Sequence, residues 1–167
     1  MFDTYGPFVL HTHDKKGIDQ LYEDIRADPA ENLQYGIGIY IIAKQGANGE
    51  LSPTYVGRTT VEFGTRLKQH FEAGKFAELC EEGPLTIFLI ARAINGKIVT
   101  KDEATGKDLL LIEQLEHDLI DHCVTLNEDL LNVHNRKKRK VYVAGYQGDD
   151  ASKRESAAQA LGKLLNT

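Results

Sequence analysis

The amino-acid sequence predicts an α+β domain, a small antiparallel sheet of about three strands flanked by α-helices. Three observations predict it. Residues 35–44 (YGIGIYIIAK) concentrate Ile and Tyr in a run of strand length. Asn48-Gly49 is a hairpin-turn dipeptide that sends this run back toward Thr54-Tyr55-Val56, so the two pair antiparallel. Residues 107–123 (KDLLLIEQLEHDLIDHC) form a long stretch whose apolar positions recur at helical spacing.

Residues 1–15 read as an N-terminal arm and 16–167 as a single domain. Within 16–28, Ile18, Leu21, Tyr22 and Ile25 share a helix face. Pro29 ends that helix, because the residue before a proline is driven out of the helical region. After the first two strands, 61–79 reads as helix, with Leu67, Phe71 and Phe76 toward the core and Gly74 interrupting it. Residues 85–94 (LTIFLIARAI) form the third strand, and Asn95-Gly96 turns it back into 97–100. Past the 107–123 helix, residues 140–146 (KVYVAGY) alternate as a strand. Residues 151–165 close the chain as a helix, with Ser152 and Glu155 as its capping box. Strand and helix together form a C-terminal extension of the domain.

Composition is that of a soluble globular protein, 41% apolar and 27% charged over 167 residues. No apolar run approaches the roughly 20 residues of a membrane helix, and the first residues lack a signal-peptide pattern. Cys80 and Cys123 have no metal-type spacing and read as small core residues, so a reducing cytoplasm is the expected compartment. His11 and His13 lack further ligands and read as part of the arm. The net charge of −5 opposes a nucleic-acid partner, but the run Arg136-Lys137-Lys138-Arg139-Lys140 concentrates positive charge locally. It suits DNA backbone contact, with a solvated turn or a nuclear address as the alternatives.

On paired strands Tyr40 and Tyr55 point to the same side. Gly57 ends its strand where another backbone or a phosphate can approach. Arg66 and His70, four apart, share a helix face, and Arg58 follows Gly57. Two arginines, a histidine and two tyrosines suit a phosphate, since guanidinium groups bond its oxygens in parallel pairs. The same residues also fit an ordinary solvated helix face. Glu116 falls in one stripe with Ile112, Leu119 and Cys123, with Leu109 beside them and Glu113 at the margin. A carboxylate on a buried face must be paired, protonated or metal-bound. A structural salt bridge to Arg66 and a metal site both satisfy that requirement.

In order, Gly38-Ile39-Tyr40, Tyr55-Val56-Gly57, Arg66, His70, Glu116 ahead of Leu119-Ile120, and Asn132 resemble the motifs of the GIY-YIG nuclease superfamily over residues 36–134. Val56 stands where Ile is usual, and the loop before Asn132 is long, which leaves Asn127 and Asn135 as its rivals. The resemblance implies a three-stranded antiparallel core and a DNA endonuclease in which Glu116 is the single protein ligand of Mg²⁺ or Mn²⁺. It implies that Arg66 and Arg58 hold the scissile phosphate. Tyr40 orients or deprotonates the attacking water, Tyr55 positions the phosphate or shares the base role, and His70 relays the proton. For Tyr40 to act as base, Arg58 and His70 must lower a phenol pKa that normally lies near 10. The compact chain leaves no room for a separate recognition domain. It fits a restriction-like or phage-type enzyme, with repair as an alternative pathway, and a homodimer would match a two-fold DNA site. A DNA-binding domain without cleavage is the contrasting expectation.

Overall fold

A computed structural model describes residues 1–46, 48–131 and 155–165 of the chain. Asn132, Asn135, the basic run 136–140, the strand expected over 140–146 and Ser152 lie outside the described residues.

The described residues form an α+β fold around a five-stranded antiparallel sheet. Its strands are β1 (Phe2–Leu10), β2 (Gly38–Gln45), β3 (Leu51–Thr59), β4 (Leu85–Ile94) and the short β5 (Lys97–Ile98). Their order is β1-β4-β2-β3, with β5 folded back on β4. The helices are α1 (Lys15–Ala27), α2 (Phe63–Glu72), α3 (Ala77–Glu81), α4 (Gly106–Leu126) and α5 (Glu155–Leu165). Among the described residues, no helix is long and apolar enough to cross a membrane.

The sheet has more strands than the three expected, and the stretch read as an arm supplies one of them. Phe2–Leu10 pairs along β4 from Phe2↔Arg92 to Leu10↔Leu85. Gly6-Pro7 sits at the register shift between Tyr5 and Phe8. A proline inside an apolar run argues against a central strand, but β1 ends the strand order, where a missing N–H costs no ladder bond.

Alternation along the strands sorts the core into two layers. Ile39, Ile41, Ala43, Val56, Phe88 and Ile90 pack on one face with Ile112, Leu115, Leu119 and Cys123 of α4. Tyr40, Ile42, Tyr55, Ile87 and Leu89 pack on the other with Leu21 and Ile25 of α1, Leu67 and Phe71 of α2, and Phe76. β2 is covered on both faces, which explains why its sequence reads as a continuous apolar run.

Local signals set several of the helix boundaries. Asp14 caps α1 by accepting from Gly17 N–H at 2.7 Å, and Asp28, extended before Pro29, stops it. α2 closes with Gly74 in the left-handed region (φ 71°) and paired bonds from Gly74 N to Phe71 O and Lys75 N to His70 O. Thr105 and Asp108 form a capping box at the start of α4.

Asp108, rather than Leu109, turns inward at the start of α4; Leu109 is 38% exposed. Asp108 is held there because its Oδ1 accepts from Arg92 Nε of β4 at 2.7 Å while its Oδ2 accepts from Thr105. Arg92 also donates to the carbonyls of Met1 and Ala93, both at 2.8 Å. One buried ion pair therefore ties β1, β4 and α4 together. Burial pushes the Asp108 carboxyl up, but the Thr105 bonds and the Arg92 guanidinium outweigh it and hold the group at about 2.

Asp108→Ala should lower unfolding free energy by about 3–5 kcal/mol, the cost of stranding a buried charge. In the unaltered chain this carboxylate's contribution is complete above its unfolded pKa near 4 and is lost as pH falls through about 2. Urea melts of both chains across that window measure the two effects.

Candidate active site

β3 delivers Tyr55, Gly57 and Arg58 in quick succession, and its alternation sends them to different faces. Tyr55 and Gly57 face the α2 layer, and Arg58 turns to the α4 layer.

On the α2 side, Tyr40 and Tyr55 lie with ring centroids 5.9 Å apart and 30° between planes. The His70 ring sits 5.8 Å from Tyr40 and 5.9 Å from Tyr55, and Phe76 closes the cluster. Tyr40 Oη lies 2.6 Å from His70 Nε2. Burial pushes the Tyr40 phenol upward, the Tyr55 phenol adds to this, and Arg66 offsets it only in part. Burial lowers His70 to about 4, reinforced by the positive charges of Lys75 and Arg66. Both partners are therefore neutral at physiological pH, and the phenol, the stronger acid, donates to the imidazole.

This environment is opposite in sign to the one a tyrosine base requires. Arg58, expected to help lower the Tyr40 pKa, belongs to the other face, and Tyr40 has no exposed surface. Gly57 admits aromatic rings where a phosphate or backbone was expected. A Cβ there would stand 2.4 Å from Tyr40 Oη and 2.6 Å from Tyr55 Cε1.

On the α4 side, Arg58 is shared by two carboxylates, Nη1 at 3.1 Å from Glu113 and Nε at 3.3 Å from Glu116. The partner of Glu116 is thus Arg58, not Arg66, whose guanidinium reaches Gln69 at 3.3 Å. Glu116 also accepts from the Arg58 backbone N–H. Burial pushes the Glu116 carboxyl up and Arg58 pulls it down, with a net upward result. Its side chain keeps 16% exposure and that of Arg58 38%, so this half of the site faces solvent.

The two halves meet through adjacent residues: Tyr40 Oη rests against Gly57, and Arg58 holds Glu116. Asn127, the rival to Asn132, is engaged elsewhere, donating to Pro53 O at 2.8 Å from the end of α4. Two further residues belong here, Glu113, which the sequence placed only at the margin of its helix face, and Lys75, which it did not single out. Glu113 pairs with Arg58, and Lys75 Nζ lies 3.9 Å above the Tyr55 ring. The Gly74 turn after a periodic helix was the signal for Lys75, since that cap folds the following residue back over the last turn.

Among the described residues, no cluster of three or more His, Cys, Asp or Glu side chains could hold a metal ion. Any ion here would depend on Glu116, with Glu113 beside it. Comparison of the chain with protein families, with curated proteins and with solved structures found no match.

Two measurements check the cluster. An NMR titration should show His70 neutral down to about pH 4, and Lys75→Met should raise its midpoint. Gly57→Ala should cost about 1–3 kcal/mol by forcing two rings off their positions, measured by chemical denaturation.

Proposed function

We propose that this chain is a metal-dependent DNA endonuclease of the GIY-YIG type, hydrolysing phosphodiester bonds with one Mg²⁺ or Mn²⁺ ion at Glu116, in a restriction-like or phage-type role. The supporting observation is the junction on β3, where a tyrosine–histidine pair lies one residue from an arginine bound by two carboxylates.

The charge inventory there suits a hard cation. Glu113, Glu116 and Arg58 sum to −1, and the donors are carboxylate oxygens, which match an ion that retains most of its water. When bound, the ion supplies charge relief on the phosphate and an activated water. Arg58, released from the carboxylates, and the half-buried Arg66 would take phosphate oxygens. Tyr40 would act as a relay: as its Oη takes a proton from the reacting water, its own proton passes along the existing hydrogen bond to the lone pair of neutral His70 Nε2. Tyr55, nearly buried beneath Lys75, serves to position these groups. Asn132 and the basic residues Arg136 to Lys140 complete the proposal as site and DNA-backbone contacts.

Two observations favour a second reading, a DNA-binding domain without cleavage. Glu116 is already satisfied by Arg58, and Tyr40 is sealed from solvent.

Incubation of supercoiled plasmid with the chain and Mg²⁺ tests both. The nuclease reading expects nicking that EDTA stops and that Glu116→Ala lowers at least about 100-fold, the scale of losing one preorganised electrostatic contact. Tyr40→Phe should impair cleavage while retaining DNA binding. Retarded but intact plasmid selects the second reading, and unretarded intact plasmid rejects both.

A further inference from the structure

Among the described residues, the α2 half of the site carries positive charge with no paired carboxylate. Arg26, Arg58 and Arg92 each pair with an acidic side chain. Arg66 does not: its guanidinium donates to Gln69 Oε1 at 3.3 Å and to the Tyr40 hydroxyl. Lys75 Nζ rests 3.9 Å above the Tyr55 ring and 5.5 Å from that of Phe76. No acid lies within ion-pair distance of Lys75 among the described residues, whereas Lys15, Lys44 and Lys68 each have one.

Both cations act on one ring. Arg66 and Lys75 each lower the His70 pKa, so their fields overlap there. Two like charges converging on a neutral imidazole repel each other, and an anion between them would turn that repulsion into two attractions. Tyr40 and His70 are uncharged and supply no such anion. The α4 half is opposite in sign, since Glu113 and Glu116 outnumber Arg58.

The backbone holds Lys75 at this spot. Gly74 makes the left-handed turn that ends α2, and Lys75 N donates to His70 O. A lysine ammonium is donor-only, and a ring on one side of it leaves N–H groups facing away. Lys75 is exposed and Arg66 half-buried, so solvent reaches both charges.

We propose that Lys75 binds phosphate, acting with Arg66 as a two-cation clamp beside Tyr55 and His70. Phosphate oxygens accept charge-assisted bonds from a guanidinium and from an ammonium alike. Identifying the bound group as a nucleic-acid backbone phosphate rests on the nuclease reading; the partnership of Lys75 with Arg66 does not.

Inorganic phosphate titrated into the full chain, followed by NMR of the His70 ring, tests the clamp without DNA or metal. The ring should shift saturably, with Kd below about 10 mM. Bound phosphate should raise the His70 midpoint, because an anion cancels part of the field that lowers it. Lys75→Gln should weaken phosphate at least about tenfold, as loss of a charged hydrogen bond does, and Lys75→Arg should retain it within about threefold. With a short DNA duplex in EDTA, Lys75→Gln should reduce the slope of log K against log salt by about one. A His70 ring blind to phosphate, or equal phosphate affinity in Lys75→Gln, overturns the clamp even if the chain nicks plasmid. Phosphate bound in a Lys75-dependent way by a chain that neither nicks nor retards plasmid upholds the clamp and rejects the nuclease reading. An unchanged salt slope in Lys75→Gln overturns the assignment to a backbone phosphate.

Discussion

Side chains on a strand alternate between two faces, and in this molecule both faces are covered, so every residue of β2 and β3 is committed to one layer or the other. Tyr40 joins Tyr55 and His70 beneath α2, while its neighbours Ile39 and Ile41 pack under α4. Tyr55 and Gly57 fall on one side and Val56 and Arg58 on the other. The residues singled out for chemistry are thereby dealt into two groups whose junction is β3 itself. A slip of one residue in the β2–β3 pairing would exchange the groups, and burial on both faces forbids it.

The two groups have contrasting electrostatics. The Tyr40–His70 pair is buried and uncharged, a hydrogen bond that satisfies two polar groups inside an aromatic cluster at no cost in buried charge. The Arg58 group is charged, half open to solvent and carries an excess negative charge. Arg92 and Asp108 illustrate a third arrangement, a fully buried ion pair whose remaining donors and acceptors are met by Thr105 and by the carbonyls of Met1 and Ala93. Burial alone does not identify a working residue: the most buried charged pair in the described residues is a structural tie, while Glu116 keeps partial access.

Local signals carried much of the fold. The 85–94 strand, the break at Gly74, the stop at Pro29 and the long helix beginning near 107 were legible because each depends on neighbours in sequence. β1 was not, because Gly6-Pro7 is a genuine argument against a strand unless the strand is known to lie at an edge, which is a tertiary fact. The nearness of Tyr40 to Tyr55 followed from strand alternation. The partner of Glu116 did not, since helical periodicity places a residue on a face but does not say which strand that face meets. The same limit turned Leu109 outward and Asp108 inward, where a cap and Arg92 decided the matter.

β3 ends the strand order of the described residues, and its outer side is not left bare. Leu131 N donates to Thr54 O, Asn127 donates to Pro53 O, and farther along Glu116 receives the Arg58 amide. Unpaired strand borders invite pairing with other chains. The carboxylate therefore has a protective duty alongside any chemical one, and an isostere that still accepts a hydrogen bond would preserve it where alanine would not. Protection of the sheet border thus rests in part on one side chain, so a tolerated substitution at that position is expected to retain a hydrogen-bond acceptor.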